Sequence, residues 1–202
     1  MAVSIVAWVN LYLLVMASLL FLLFYALSVS PAALSKRWGK KAYHRCFILR
    51  GVAMVFEALT LMGYGLYTRF PLPTPLPERF PWPAWLSILL AALIGIPTLW
   101  LMIRGMLDAG EEIARPRQEH TLYDGIYTRL RHPQALGEMF LWLVVALLLN
   151  NPFLAVFSTL YFPIFFLTMF IEEHDLLIRH GDAYAHYSQE TGLLWPRRKD
   201  SP

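Results

Sequence analysis

From Ser4 to Val29 the chain carries no charged residue, and that stretch limits the fold more than any other feature. About 20 mostly apolar residues in helical conformation cross the hydrocarbon core of a bilayer, and a run of this kind has no comparable use in a small water-soluble domain. No Lys or Arg precedes the run and the positive charges follow it, so it reads as a retained membrane helix and not a cleaved signal peptide. Four more apolar stretches repeat the pattern, at about Phe47–Thr68, Trp85–Ile103, Ala135–Leu149 and Phe153–Ile171. The expected fold is therefore all-α, an integral membrane protein with about five transmembrane helices. Composition agrees: 57% of residues are hydrophobic and 15% charged, where a globular domain carries roughly 25% charged residues.

The links between the spans set the topology. Residues 69–83 hold Pro71, Pro73, Pro75, Pro77, Pro81 and Pro83, which predicts a stiff extended loop. Asn150, Asn151 and Pro152 leave room only for a tight turn, so spans four and five should form an antiparallel C-terminal hairpin. Lys36, Arg37, Lys40, Lys41 and Arg45 follow span one, and Arg104, Arg115, Arg117, Arg129 and Arg131 follow span three. Arg179, Arg197, Arg198 and Lys199 follow span five, whereas only Arg69 and Arg79 fall on the other side. The positive-inside rule then predicts an outside N-terminus and a cytoplasmic C-terminus. The chain divides into residues 1–103, with three spans, and residues 104–202, with most of the polar chemistry in cytoplasmic segments. The net charge of +3 is small and scattered, so no nucleic-acid partner is expected, only membrane lipids and an apolar ligand.

Most standard signatures are absent from the sequence: there is no P-loop, no GxGxxG after a strand, no GxSxG and no HExxH. Cys46, the single cysteine, rules out an intramolecular disulfide and a Cys-based metal cage. His174, His180 and His186 recur every six residues, about 240° apart around a helix, so no metal site is expected from them. Gly63 and Gly65, inside the second span, are expected to serve helix packing. Two acids fall within spans, Glu57 and Glu138, and an intramembrane carboxylate is a functional candidate by default. Glu172, Glu173, His174 and Asp175 follow span five, where acids would suit the first turn of a new helix.

The stretch His120-Thr121-Leu122-Tyr123-Asp124-Gly125-Ile126-Tyr127, followed by Arg131-His132-Pro133, resembles the C-terminal half of the isoprenylcysteine carboxyl methyltransferase family. The likeness continues through the hairpin to Glu172-Glu173, Gly181-Asp182-Ala183-Tyr184, Tyr187 and Leu194-Trp195-Pro196, covering roughly residues 105 to 197. It implies a membrane methyltransferase that uses S-adenosyl-L-methionine. His120, Thr121, Leu122, Tyr123, Tyr127, His132, Pro133, Gln134, Ala135 and Glu172 would line the cofactor pocket. Arg131 would meet the cofactor's carboxylate or else anchor the chain at the membrane interface, and Glu138 or a histidine would accept a proton from an amine or thiol acceptor. Two positions depart from the family: Thr168 replaces an arginine that meets the substrate, and Ala135 replaces a tyrosine. Without that arginine a substrate carboxylate lacks its partner, so the acceptor is left as a lipid-like or apolar molecule bearing a carboxylate or another nucleophile. The alternatives are a phospholipid amine N-methyltransferase and a non-enzymatic transporter component or scaffold.

Overall fold

The computed structural model describes residues 5–113, 115–117 and 124–197, and all of its extended elements are helices. In chain order they are α1 (Ile5–Ser28), α2 (Pro31–Trp38), α3 (Ala42–Tyr67), α4 (Ala84–Ala109), α5 (Pro133–Leu148), α6 (Pro152–Ser158), α7 (Tyr161–His180) and α8 (Asp182–Glu190). Four stretches are long and apolar enough to cross a membrane: Ile5–Ser28, Pro31–Tyr67, Ala84–Ile113 and Pro152–His180. Their outer faces carry large apolar side chains with nothing packed over them, such as Met62 on α3 and Leu93, Ile96 and Trp100 on α4. Lipid is the solvent that suits such faces.

The fourth expected crossing differs. Helix α5 has 16 residues, about 24 Å, against a hydrocarbon core of roughly 30 Å. It nevertheless runs from one end of the bundle to the other. At its far end Asn150 accepts a hydrogen bond from Ser87 at 2.7 Å, and Ser87 accepts one from the Trp82 indole at 2.8 Å, which ties the turn after α5 to the proline-rich segment. At its near end the ring of Pro133 lies where a side chain on Gly105 would begin, 3.0 Å from an ideal Cβ, about a turn inside the end of α4. Close packing holds it there. A Cβ on Gly137 would stand 2.5 Å from the Thr98 carbonyl oxygen and 2.5 Å from Met102 Cβ, so the two backbones approach as only glycine permits.

The fifth expected span is present within Pro152–His180 but is interrupted between α6 and α7. Pro163 lacks an N–H and its ring crowds the carbonyl four residues earlier, that of Thr159, and the chain turns at Thr159–Leu160 between α6 and α7. Helix α7 then continues to His180. Glu172, Glu173 and Asp175 therefore lie in the last turns of one long helix and do not open a new one. The expected tight turn is present: Asn150 takes a left-handed conformation (φ 51°), which asparagine tolerates, and the Asn151 side chain caps α6 by accepting from the Leu154 N–H at 2.9 Å. Residues 69–83 form neither helix nor strand.

Aromatic packing builds the core between α1, α3, α5 and α7. Trp142 lies between Tyr64 and Tyr161, each ring centroid 5.0 Å away, and the Tyr161 hydroxyl is 2.7 Å from Ser18 on α1. Gly63 packs α3 against Leu14 of α1, and its carbonyl accepts from Asn10 at 3.0 Å. Gly65 faces open space and packs nothing.

Candidate functional site

At the end of the bundle where α5 begins, about a turn inside the end of α4, residues of α3, α4, α5 and α7 surround an open space. This space is a cavity of about 450 Å³, within the range of sites for small molecules and cofactors. Of the residues expected at the cofactor site or in catalysis, Tyr127, Arg131, His132, Gln134, Ala135, Glu138 and Glu172 line it. Pro133 does not; it is buried against α4 and fixes where α5 starts. His120, Thr121, Leu122 and Tyr123 lie outside the described residues.

One helix face supplies much of the polar lining. Glu172, Asp175, Leu176, Arg179 and His180 all border the cavity, and their spacing is that of a single stripe along α7. Glu173, one position on, points elsewhere. Its Oε1 accepts from Arg131 Nε at 2.8 Å and the Tyr184 hydroxyl at 2.7 Å, and lies 2.8 Å from His132 Nε2. Glu172 Oε2 is 3.4 Å from His132 Nδ1 on the other side of the ring. His132 thus sits between two carboxylates. Its own burial works against a cation, but the hydrogen bonds and charges of Glu172 and Glu173 more than offset that and push its pKa up to about 9.

The tail is tied in by its backbone. The N–H groups of Arg131 and His132 donate to the carbonyls of Gly192 and Leu193, at 2.8 and 3.1 Å. Arg131 Nη1 also donates to the carbonyls of Ser188 (2.7 Å) and Thr191 (2.5 Å). With Nε already on Glu173, most of the Arg131 fork holds the tail and little of it is left for a ligand. The Tyr187 hydroxyl donates to the Tyr127 carbonyl at 2.7 Å. Burial pushes the Tyr187 phenol up to about 12 and raises that of Tyr184, where Glu173 adds to the effect, so both are neutral donors at physiological pH.

Several cavity residues were missed by reasoning from sequence. Arg179 Nη1 donates to Glu112 Oε1 at 2.7 Å, with both side chains about 95% buried, and this pair joins α7 to the turn after α4. Arg50 on α3 donates to the backbone carbonyls of Glu112 and Ile113. Asp175 accepts from the Ala33 N–H at 2.7 Å, capping α2 from another helix. Arg50 was detectable, since it falls inside the second expected span just as Glu57 does. The α7 stripe was hidden by the assumption that a helix ended at Ile171.

Glu57 and Glu138 both line the cavity, from α3 and α5, and Glu138 accepts from the Gln134 amide at 2.8 Å. Thr168 does not reach it: its side chain is buried and its hydroxyl donates back to the Phe165 carbonyl at 3.0 Å. Comparison with models of known protein families, with curated proteins and with solved structures finds no match. Fold and site together define a class, an all-α chain with four helices suited to crossing a membrane and a polar cavity at one end of the bundle.

Proposed function

We propose that this chain is an integral-membrane methyltransferase that takes its methyl group from S-adenosyl-L-methionine and delivers it to a lipid-like or apolar acceptor. It crosses the bilayer five times, α5 included, with the N-terminus outside and the cavity at the cytoplasmic end. One observation carries the reading. Residues that resemble the methyltransferase pattern are scattered from Tyr127 to the tail, and they gather around one cavity, with the tail hydrogen-bonded to the Arg131-His132 segment. Chance agreement in sequence gives no reason for that convergence.

The lining fits the cofactor chemically. Glu172, about a third exposed, offers a carboxylate to an ammonium or to ribose hydroxyls, Gln134 offers an amide, and Tyr127 offers an aromatic wall. The bound cofactor supplies an electrophilic methyl on a sulfonium. This chain's own part is alignment of the acceptor's nucleophile behind that carbon and exclusion of water, for which the packed helices around the cavity are suited. Where the acceptor is an amine or thiol, Glu138 is the group positioned to take its proton. A second reading, a phospholipid amine N-methyltransferase, is favoured by Glu57 and Glu138 sharing the cavity while Thr168 is turned away from it. A base-stable methylated product would select that reading, and a base-labile ester would select a carboxylate acceptor.

Calorimetric titration of the detergent-purified protein with S-adenosyl-L-methionine tests the proposal. Saturable binding is expected, weakened about tenfold or more by Glu172→Gln, since a charged hydrogen bond contributes about 1.5–3 kcal/mol. A folded wild-type protein that takes up no cofactor would sink the enzymatic reading and favour a scaffold or transporter component.

A further inference from the structure

Beside the main cavity a second hollow, of about 400 Å³, opens at the same end of the molecule. One wall is the start of α3 with the turn before it, where Lys40, Tyr43, His44 and Phe47 follow one another at helical spacing. Arg115 and Arg117, from the segment after α4, face them across the opening. Basic groups far apart in the chain are thus brought to one small space, where they repel one another unless an anion intervenes. Arg117 is paired with Glu111. Among the described residues no carboxylate lies within ion-pair distance of Lys40 or Arg115.

The hollow also has an apolar exit. Phe47 on its rim is exposed, and from His44 a stripe of exposed apolar side chains, Ile48, Val55, Leu59 and Met62, runs up the outer face of α3. A positive hollow that opens onto a lipid-facing stripe is complementary to an amphiphile with an anionic head and apolar chains.

We propose that this hollow is a binding site for an anionic phospholipid, with its phosphate between Lys40 and Arg115 and its acyl chains along the α3 stripe. In the orientation proposed above it faces the cytoplasmic leaflet, which carries the anionic lipids. Phe47 and Pro116 line both hollows, so a seated headgroup braces one wall of the main cavity without entering it. The site does not depend on the methyltransferase reading.

Native mass spectrometry of the full chain from micelles holding equimolar phosphatidylglycerol and phosphatidylcholine tests this. The wild type should retain phosphatidylglycerol in preference by about tenfold or more, from two basic contacts at the membrane surface. Lys40→Gln with Arg115→Gln should abolish the preference. Lys36→Gln with Arg37→Gln, which removes equal charge outside the hollow, should leave it intact. All four side chains are exposed, and thermal midpoints of both variants confirm that the fold is kept. Equal loss in both double variants would overturn the proposal in favour of diffuse surface attraction. Release of the lipid by millimolar inorganic phosphate would overturn it in favour of a free-anion site.

Discussion

Glu172 and Glu173 are adjacent in the chain and serve different ends because a helix turns about 100° per residue. Glu172 faces the cavity, and Glu173 is the acceptor on which Arg131, His132 and Tyr184 converge. Glu173→Gln should therefore act mainly on stability, lowering the thermal midpoint by the loss of charged hydrogen bonds worth about 1.5–3 kcal/mol, and by more than Glu172→Gln, which removes only the longer contact with His132. An unchanged midpoint in Glu173→Gln would show that the cluster does not hold the tail. His132 sets a pH dependence. Its folded pKa, about 9, lies above its ordinary 6.5, so the stability it contributes is complete below about 6.5 and is lost as pH rises through about 9. The thermal midpoint should fall across that window in the wild type and fall much less in His132→Gln. Equal slopes would mean that the ring is neutral throughout.

Among the elements, the first three spans were legible in the sequence: α1 lies within a residue of its expected bounds, whereas α3 begins at Ala42, before the expected Phe47, and α4 runs to Ala109, past the expected Ile103. What the sequence did not reveal comes from contacts between distant segments. The extension of α7 to His180 follows from the partners of Glu173, Asp175 and Arg179, and an isolated run of acids carries no sign of them. The break before α7 was readable from Pro163 and was passed over because the surrounding residues are uniformly apolar. Tyr127, His132 and Glu172 were found through resemblance to a family pattern, whereas Glu112 and Arg179 belong to the cavity only through packing. The α4–α5 contact gives a direct test. Gly137→Val would force a branched side chain against Thr98 and Met102 and should cost about 1–3 kcal/mol, read as a lower thermal midpoint in detergent. A midpoint equal to wild type would mean that α5 slides freely on α4.

For the whole molecule the proposed orientation is open to a labelling experiment. Single cysteines introduced at Thr74 and Asn150, with Cys46→Ser as background, should react with a membrane-impermeant maleimide from the outer side, and one at Ser188 only after the membrane is opened. Thr74 and Asn150 labelled from opposite sides would contradict the proposed passage of α5 through the bilayer. The shortness of α5 bears on how the protein is made. A 16-residue segment carrying Gln134 and Glu138 partitions poorly from the translocon into lipid by itself, since a buried acid near a helix centre costs about 2.5–3.5 kcal/mol on insertion scales. In the finished bundle α5 is covered by its neighbours, with no exposed residue before Leu148. In the proposed five-span arrangement it needs those neighbours in order to enter, and the two-asparagine turn would deliver it together with α6 and α7 as one hairpin. A nascent chain that stops at Asn151 should leave α5 extractable by alkali, and the same chain extended to His180 should not.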